Sequence, residues 1–167
     1  MTLGRGRCPS PLGPIELLVA ETGAVVQVRF ALGDYSRSPG ARSLRDDARD
    51  DGRRTAESCR QLTEYFAGRC RRFGLALALR GSPFQLEVWR AMLEIPYGEV
   101  RTYAEIATAV GRPHGARAVG RASALNRLPI LVPCHRLLGR DGGLRGYAGG
   151  LDLKRRLLEI ESVGRPA

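Results

Sequence analysis

Two capping boxes in the second half of the chain restrict its fold more than any other feature. Ser82 stands directly before Pro83 and three residues before Gln85, and Thr102 stands three residues before Glu105. In such a box the Ser or Thr oxygen accepts from the third helical amide while Gln or Glu reaches back to the cap amide, and Pro suits the first helical position. The spacing predicts a helix from Pro83 with Phe84, Val88, Met92 and Leu93 on its apolar side, widened by Leu86 and Trp89, and ending at Pro96-Tyr97-Gly98. A second helix starts after Thr102 and closes at Gly111 and Pro113. A third runs from about Gly115 to Leu125, with Ala118, Val119 and Ala122 inward and Arg117 and Arg121 outward. Two short helices across a Gly-Pro turn, the second bearing arginines, fit a helix-turn-helix and equally a plain hairpin with a charged face.

The first half reads differently. Ile15–Val19 and Val25–Phe30 flank Glu21-Thr22-Gly23, a hairpin signal. From Asp34 to Gly52 the chain has no apolar period and reads as a surface loop. Arg53 to Ala67 reads as a helix with Leu62, Tyr65 and Phe66 on its apolar side and Gly68 as a stop, and Leu75–Leu79 as a further strand. This half carries no catalytic cluster and is expected to serve as scaffold. Gly81-Ser82-Pro83 marks the boundary, dividing the chain into 1–81 and 82–167.

Composition sets outer limits. At 167 residues, 43% hydrophobic and 26% charged, the chain is globular, with no apolar stretch of membrane-spanning length and no signal-peptide run, so a cytoplasmic protein is expected. Cys8, Cys59, Cys70 and Cys134 are irregularly spaced without a CxxC pair, which in a reducing compartment argues against disulfides. Cys8, Cys59 or Cys70 with His114 have no recognisable zinc-ligand spacing, so no metal is expected. Net charge is +10, and Lys154 is the only lysine. Residues 106–140 hold Arg112, Arg117, Arg121, Arg127, Arg136 and Arg140 without one acid, the composition of a phosphate-binding face or of a solvated basic face.

Chemistry concentrates in Pro129-Ile-Leu-Val-Pro-Cys-His-Arg136, which places Cys134 and His135 beside Arg136. A cysteine becomes nucleophilic when neighbouring cationic or histidine side chains stabilise its thiolate; otherwise it is a small buried hydrophobe. The glycine-dense run 139–150 lets backbone approach a ligand beside it. A last helix, about Leu151 to Glu161, packs through Leu153, Leu157, Leu158 and Ile160. The helix dipole disfavours an acid at that end, so Glu161 is either held by a partner, with His135 the obvious one, or an ordinary surface acid. A Glu–His–Cys relay would orient the imidazole and generate a thiolate.

Pro133-Cys134-His135-Arg136, with Asn126 upstream and Gly146-Tyr147-Ala148-Gly149-Gly150 and Lys154 to Glu161 downstream, resembles the O6-alkylguanine-DNA alkyltransferase family. The likeness runs from Ser82-Pro83-Phe84-Gln85 through Ile95–Val100 and Ala116–Gly120 to Glu161. It implies an α+β fold, with a small antiparallel, ribonuclease H-like sheet and helix in 1–81 and a mostly helical, winged helix-turn-helix-like unit in 82–167. It implies a cofactor-free suicide repair protein that moves an alkyl group from guanine O6, after nucleotide flipping, irreversibly to Cys134. His135 would deprotonate Cys134 through a water, with Glu161 orienting His135. Asn126 would be the hinge before the active-site segment, and Tyr103 would crowd the target phosphate and donate to guanine N3. Arg117 would fill the vacated stack, with Ala116, Arg121, Ser123 and Arg127 on the same DNA face. Tyr147, Ala148, Leu137 and Lys154 would form the base pocket. The partner implied is duplex DNA bearing O6-alkylguanine, gripped in the minor groove with little sequence preference by a monomer.

Three departures bear on substrate range: Arg127 where the family often has proline, Leu137 for the usual valine, and Ala148 without the hydroxyl of some members. Two other functions fit the same residues. A non-catalytic damage binder would not need Cys134, and a thiol hydrolase would turn over repeatedly.

Overall fold

The computed structural model describes residues 2–31 and 48–162. Its first layer is a four-stranded sheet of β1 (Gly4–Cys8), β2 (Ile15–Val19), β3 (Val25–Phe30) and β4 (Arg49–Asp50), in the order β3-β2-β1-β4. β1, β2 and β3 pair antiparallel, and β4 adds to β1 in parallel. The hairpin turns where expected, with Gly23 in the left-handed region at φ +82°. Residues 34–47 of the expected loop lie outside the described residues; within 48–52 the chain already forms β4 and enters a helix. Leu75–Leu79 is not a strand. It makes a single parallel bridge, Val25 with Leu77, because only Val25 offers both backbone groups, to Ala76 and Ala78.

β1 is absent from the sequence reading, and its glycines explain why. A Cβ on Gly6 would collide with Thr55 Oγ1 and lie 2.6 Å from Thr55 Cβ. The strand has no apolar alternation there because α1 (Gly52–Phe66) packs directly on its backbone. Asp51 caps α1 by accepting from the Arg54 amide at 2.9 Å. Cys8 of β1 and Cys59 of α1 are joined in a disulfide with Cα atoms 5.4 Å apart, against the expectation of free thiols. Compartment and spacing weighed against it, but the fold brings the two Cβ atoms within bonding reach.

The second half follows its capping boxes. α2 (Pro83–Leu93) and α3 (Tyr103–Ala109) start at Ser82 and Thr102, and both boxes are formed in full. α4 (Ala116–Ala124) packs on both, burying Val119 and Ala122 while Arg117 and Arg121 stay exposed. Trp89 donates its indole N–H to the Ala122 carbonyl at 2.9 Å, fixing the end of α4 to α2. A short parallel pair, β5 (Arg101–Thr102) with β6 (Leu137–Leu138), stands beside a 3₁₀ turn at Cys134–Arg136, and α5 (Leu151–Ile160) closes the fold. One hydrophobic core runs from Ile15, Leu17 and Val28 of the sheet through Leu62, Val88, Met92 and Val119 to Leu137 and Leu157. No helix among the described residues is long and apolar enough to cross a membrane.

Candidate active site

The site is built on the segment joining α4 to the 3₁₀ turn. Asn126, buried just past α4, accepts from the Leu128 amide at 2.9 Å through its side-chain oxygen. Its amide nitrogen donates to the Val132 carbonyl at 2.9 Å and to Cys134 Sγ at 3.2 Å. One side chain thus closes the loop and orients the sulfur. Within the loop, buried Ile130 adopts φ +73°. A β-branched residue in that region stores about 1–3 kcal/mol of strain, tolerated where the surroundings over-determine the backbone.

The tight 3₁₀ turn sends consecutive side chains apart. Cys134, 6% exposed, lines a cavity of about 590 Å³ with Tyr103, Arg117, Ser123, Asn126, Tyr147 and Ala148. That volume falls within the ~300–1,000 Å³ typical of small-molecule sites. His135 and Arg136 point the other way, into the protein. His135, 0% exposed, places Nε2 2.7 Å from Glu161 Oε1. A carboxylate only accepts, so Nε2 carries the proton and Nδ1 the lone pair, and Nδ1 is buried without a hydrogen-bond partner among the described residues.

Glu161 caps the end of α5 and is buried, not a surface acid. Oε1 accepts from Tyr65 Oη at 2.6 Å, His135 Nε2 at 2.7 Å and Arg136 Nη2 at 2.9 Å. Oε2 accepts from Arg136 Nε at 2.9 Å and the Gly98 amide at 3.3 Å. Burial alone would raise this carboxyl, but hydrogen bonds and charge from His135 and Arg136 hold it well below the usual carboxylate range. Burial pushes the His135 imidazole down despite Glu161, so the ring is neutral.

Burial also pushes the Cys134 thiol up, against the Asn126 hydrogen bond, the Lys154 charge and the Tyr147 hydroxyl. The expectation of a thiolate stabilised by adjacent cations therefore changes: the resting group is a thiol. Arg136 contributes nothing to a phosphate face. It is buried, paired with Glu161, and donates to the Ile95 carbonyl at 2.5 Å. The basic run of the sequence loses one of its six arginines to the relay.

Lys154 is fully buried behind the cavity wall. Its Nζ donates to the Arg145 carbonyl at 2.9 Å and the Tyr103 hydroxyl at 3.4 Å. Burial lowers it to about 8, opposed by the Cys134 charge. The Tyr103 phenol is pushed up to about 12 by burial and then by Cys134, so it remains a donor.

Ala116, Arg117 and Ser123 line the cavity as expected of one face. Arg121 is exposed outside it, and Arg127 lies half-buried in a separate crevice with Val26, Trp89 and Leu128. Leu137 does not line the cavity: its side chain is fully buried in the core and its backbone pairs with Arg101. Sequence reasoning missed Arg145 on the wall and Tyr65 and Gly98 around Glu161; Arg140 was read as part of the basic run, and Arg136 as part of that run and as the neighbour of the Cys-His pair, not as a partner of Glu161. Among the described residues no group of three or more His, Cys, Asp or Glu side chains is placed to hold a metal ion, and Cys8 and Cys59 are bonded to each other.

The sequence model of the 6-O-methylguanine DNA methyltransferase DNA-binding domain matches residues 83–163. A methylated-DNA–protein-cysteine methyltransferase of Methanosarcina barkeri is 43% identical over 152 residues, covering 91% of this chain and 92% of the relative. The constitutive one of Bacillus subtilis is 43% identical over 155 residues, covering 92% of each. The crystal structure of Mycobacterium tuberculosis OGT in complex with DNA superposes with a TM-score of 0.83 at 40% identity, over 96% of this chain and 92% of that one. Similarity of this extent, over both halves of the molecule, makes the chain a member of the methylated-DNA–protein-cysteine methyltransferase family.

Proposed function

We propose that this protein repairs DNA by direct reversal, taking the alkyl group from guanine O6 onto Cys134. The observation that carries the reading is the placement of Cys134: its sulfur faces a nucleobase-scale cavity, and a closed His135–Glu161 pair stands behind it. The reaction is a displacement at the alkyl carbon. The Cys134 proton passes to His135 Nδ1 by way of a bridging water, the sulfur bonds to carbon, and the carbon–O6 bond breaks. The electron pair moves into the guanine ring, whose N1 takes up a proton from water while the His135 imidazolium gives the thiol's proton back to water, leaving neutral guanine and neutral His135. A buried thiol that is neutral at rest suits this order, because the ion pair is needed only when the alkyl carbon arrives. Tyr103, protonated throughout, donates to guanine N3 as negative charge develops on the leaving base.

O6 lies inside the duplex, so the nucleotide must be extruded at a cost of a few kcal/mol. Arg117 enters the stack and Arg121 meets phosphates in the minor groove, a reading supported by their exposure on α4, with Arg117 beside the cavity; the degenerate pattern of that groove suits scanning without sequence preference. Tyr147 and Ala148 contact the base, while Leu137 acts only from behind them. Residues 1–81 support and 82–167 bind and react. The product is a thioether, a poor leaving group, so each molecule acts once. No cofactor takes part, and a monomer in the cytoplasm suffices.

The test is stoichiometry. One equivalent of protein should restore one equivalent of guanine from O6-methylguanine duplex and then stop, and Cys134→Ala should bind the duplex and restore none. Repeated turnover would favour a hydrolase instead, and binding without transfer by the native chain a mere damage sensor.

A further inference from the structure

We propose that Tyr65, carried by α1 from the opposite half of the chain, is a positioning residue of the relay. Its hydroxyl pins Glu161 against His135 and tempers the pull of that carboxylate on the ring. The inference deepens the proposed function and rests on it for its catalytic meaning.

Tyr65 is fully buried, 96 residues from Glu161 in sequence, and its Oη lies 2.6 Å from Oε1, the same oxygen that receives His135 Nε2. Its ring cannot drift. Phe66 and Phe73 lie with centroids 5.2 and 5.5 Å away, and Tyr97 meets it edge-on at 5.9 Å. The phenol is a committed donor, since burial and then the Glu161 charge push its ionisation well up. A core of aliphatic side chains would have served packing alone. Among the described residues this buried phenol has one hydrogen-bond partner, and that partner is the acid beside His135.

The sharing of Oε1 has a chemical consequence. Each donor to a carboxylate stabilises its charge and lowers its basicity, so it draws less strongly on the other donors. With Tyr65 bonded, Glu161 fixes the His135 tautomer but does not favour the imidazolium as strongly as a free carboxylate would. His135 thus stays neutral at rest, with its Nδ1 lone pair available. The groups that face His135 are Glu161 and Lys154 from α5, Arg136 and Cys134 from its own turn, and, through Glu161, Tyr65 from α1 and Tyr97 from the 96–98 turn.

The experiment compares Tyr65→Phe with Tyr97→Phe in the full chain. Tyr97 sits in the same aromatic wall, but its hydroxyl donates to the Ile160 carbonyl at 3.1 Å and not to the carboxylate. The chain has two histidines, so the His135 ring signals can be identified in an NMR pH titration. Tyr65→Phe should move the His135 midpoint upward by roughly half a pH unit, a fraction of the effect of deleting a charged hydrogen bond outright. The acid limb of the alkyl-transfer rate should move with it, with duplex affinity unchanged. Tyr97→Phe should leave the midpoint where it is in the native chain. An unmoved midpoint in Tyr65→Phe, or an equal shift in both variants, overturns the proposal. Should Tyr65→Phe fail to fold, the native chain still decides. The Tyr65 hydroxyl proton should give a slowly exchanging downfield signal with an NOE to the His135 Nε2 proton, and exchange as fast as that of an exposed phenol refutes the bond. None of these titrations needs alkyl transfer, so loss of the repair reading would show separately, as a Cys134 that accepts no alkyl group.

Discussion

On the cavity side of Cys134, Arg117, Arg140 and Arg145 are exposed around the opening, and the Arg145 guanidinium pairs with nearby Asp141 at 2.7 Å. On the other side, within one turn of chain, His135, Arg136 and Glu161 are buried and hydrogen-bonded to one another, to Tyr65 of α1 and to the Gly98 amide, with His135 Nδ1 alone left without a partner among the described residues. The first region keeps its charges solvated and free to meet a polyanion; the second spends its charges on each other. The contrast teaches that basic residues close in sequence can have opposite tasks. Arg136 and Arg140 are four positions apart, and only the second faces solvent.

Substitutions behind the sulfur should therefore cost both stability and chemistry, and those in front should cost DNA handling alone. Glu161→Gln has the largest expected effect. It leaves Arg136 buried beside a neutral amide, so unfolding free energy should fall by about 3–5 kcal/mol in denaturant titration. Alkyl transfer should slow by about 10²-fold or more as the His135 tautomer is lost. In a Cys70→Ser background, the Cys134 thiol should titrate still higher. Wild-type stability with full activity would dissolve the distinction between the two regions.

Away from both regions, Cys8→Ser should lower stability by about 2–4 kcal/mol, because the disulfide closes a loop spanning 51 positions, yet leave the transfer rate unchanged. A rate loss in the still-folded variant would mean that the sheet edge reaches the relay. Arg117→Ala, in front, should reduce duplex repair by about tenfold, the lower end of the ~1–3 kcal/mol expected for one arginine contact. Reaction with the free alkylated base should be unaffected, and equal losses on both substrates would remove the stack-filling role.

Acid should act on the buried side. His135 and Glu161 both have folded pKa values below their unfolded ones, so the unfolded chain binds more protons wherever either group titrates. Their contribution to stability is fully present above the unfolded His value near ~6.5 and is lost as pH falls toward the depressed folded values, at up to about 1.4 kcal/mol per pH unit per proton. Thermal unfolding followed from pH 7 downward should show this slope, and Glu161→Gln should flatten its part below about pH 4.3, where the carboxyl of the unfolded chain titrates.

How much of this was readable in the residues follows the same division. The helices of the second half announced themselves, because Ser82 acts with Gln85 and Thr102 with Glu105, each pair only three positions apart. That Cys134, His135 and Glu161 belong to one place in the fold was legible through linked motifs. β1 was not, since Gly4 and Gly6 are selected by the pressure of α1 rather than by strand propensity. Leu75–Leu79 looked like a strand from its alternation, yet the sheet offers it one residue of partner backbone. The Cys8–Cys59 bond and the Tyr65–Glu161 contact join positions 51 and 96 residues apart, and nothing local encodes them. The supposed scaffold half therefore reaches the relay acid.

The central claim is that the sulfur of Cys134, and no other, receives the alkyl group. Peptide mass mapping after incubation with a slight excess of O6-methylguanine duplex should find one methyl group per chain, on the peptide holding Cys134. A methyl group on Cys70, or a fully unmodified chain that has nevertheless restored guanine, would contradict it.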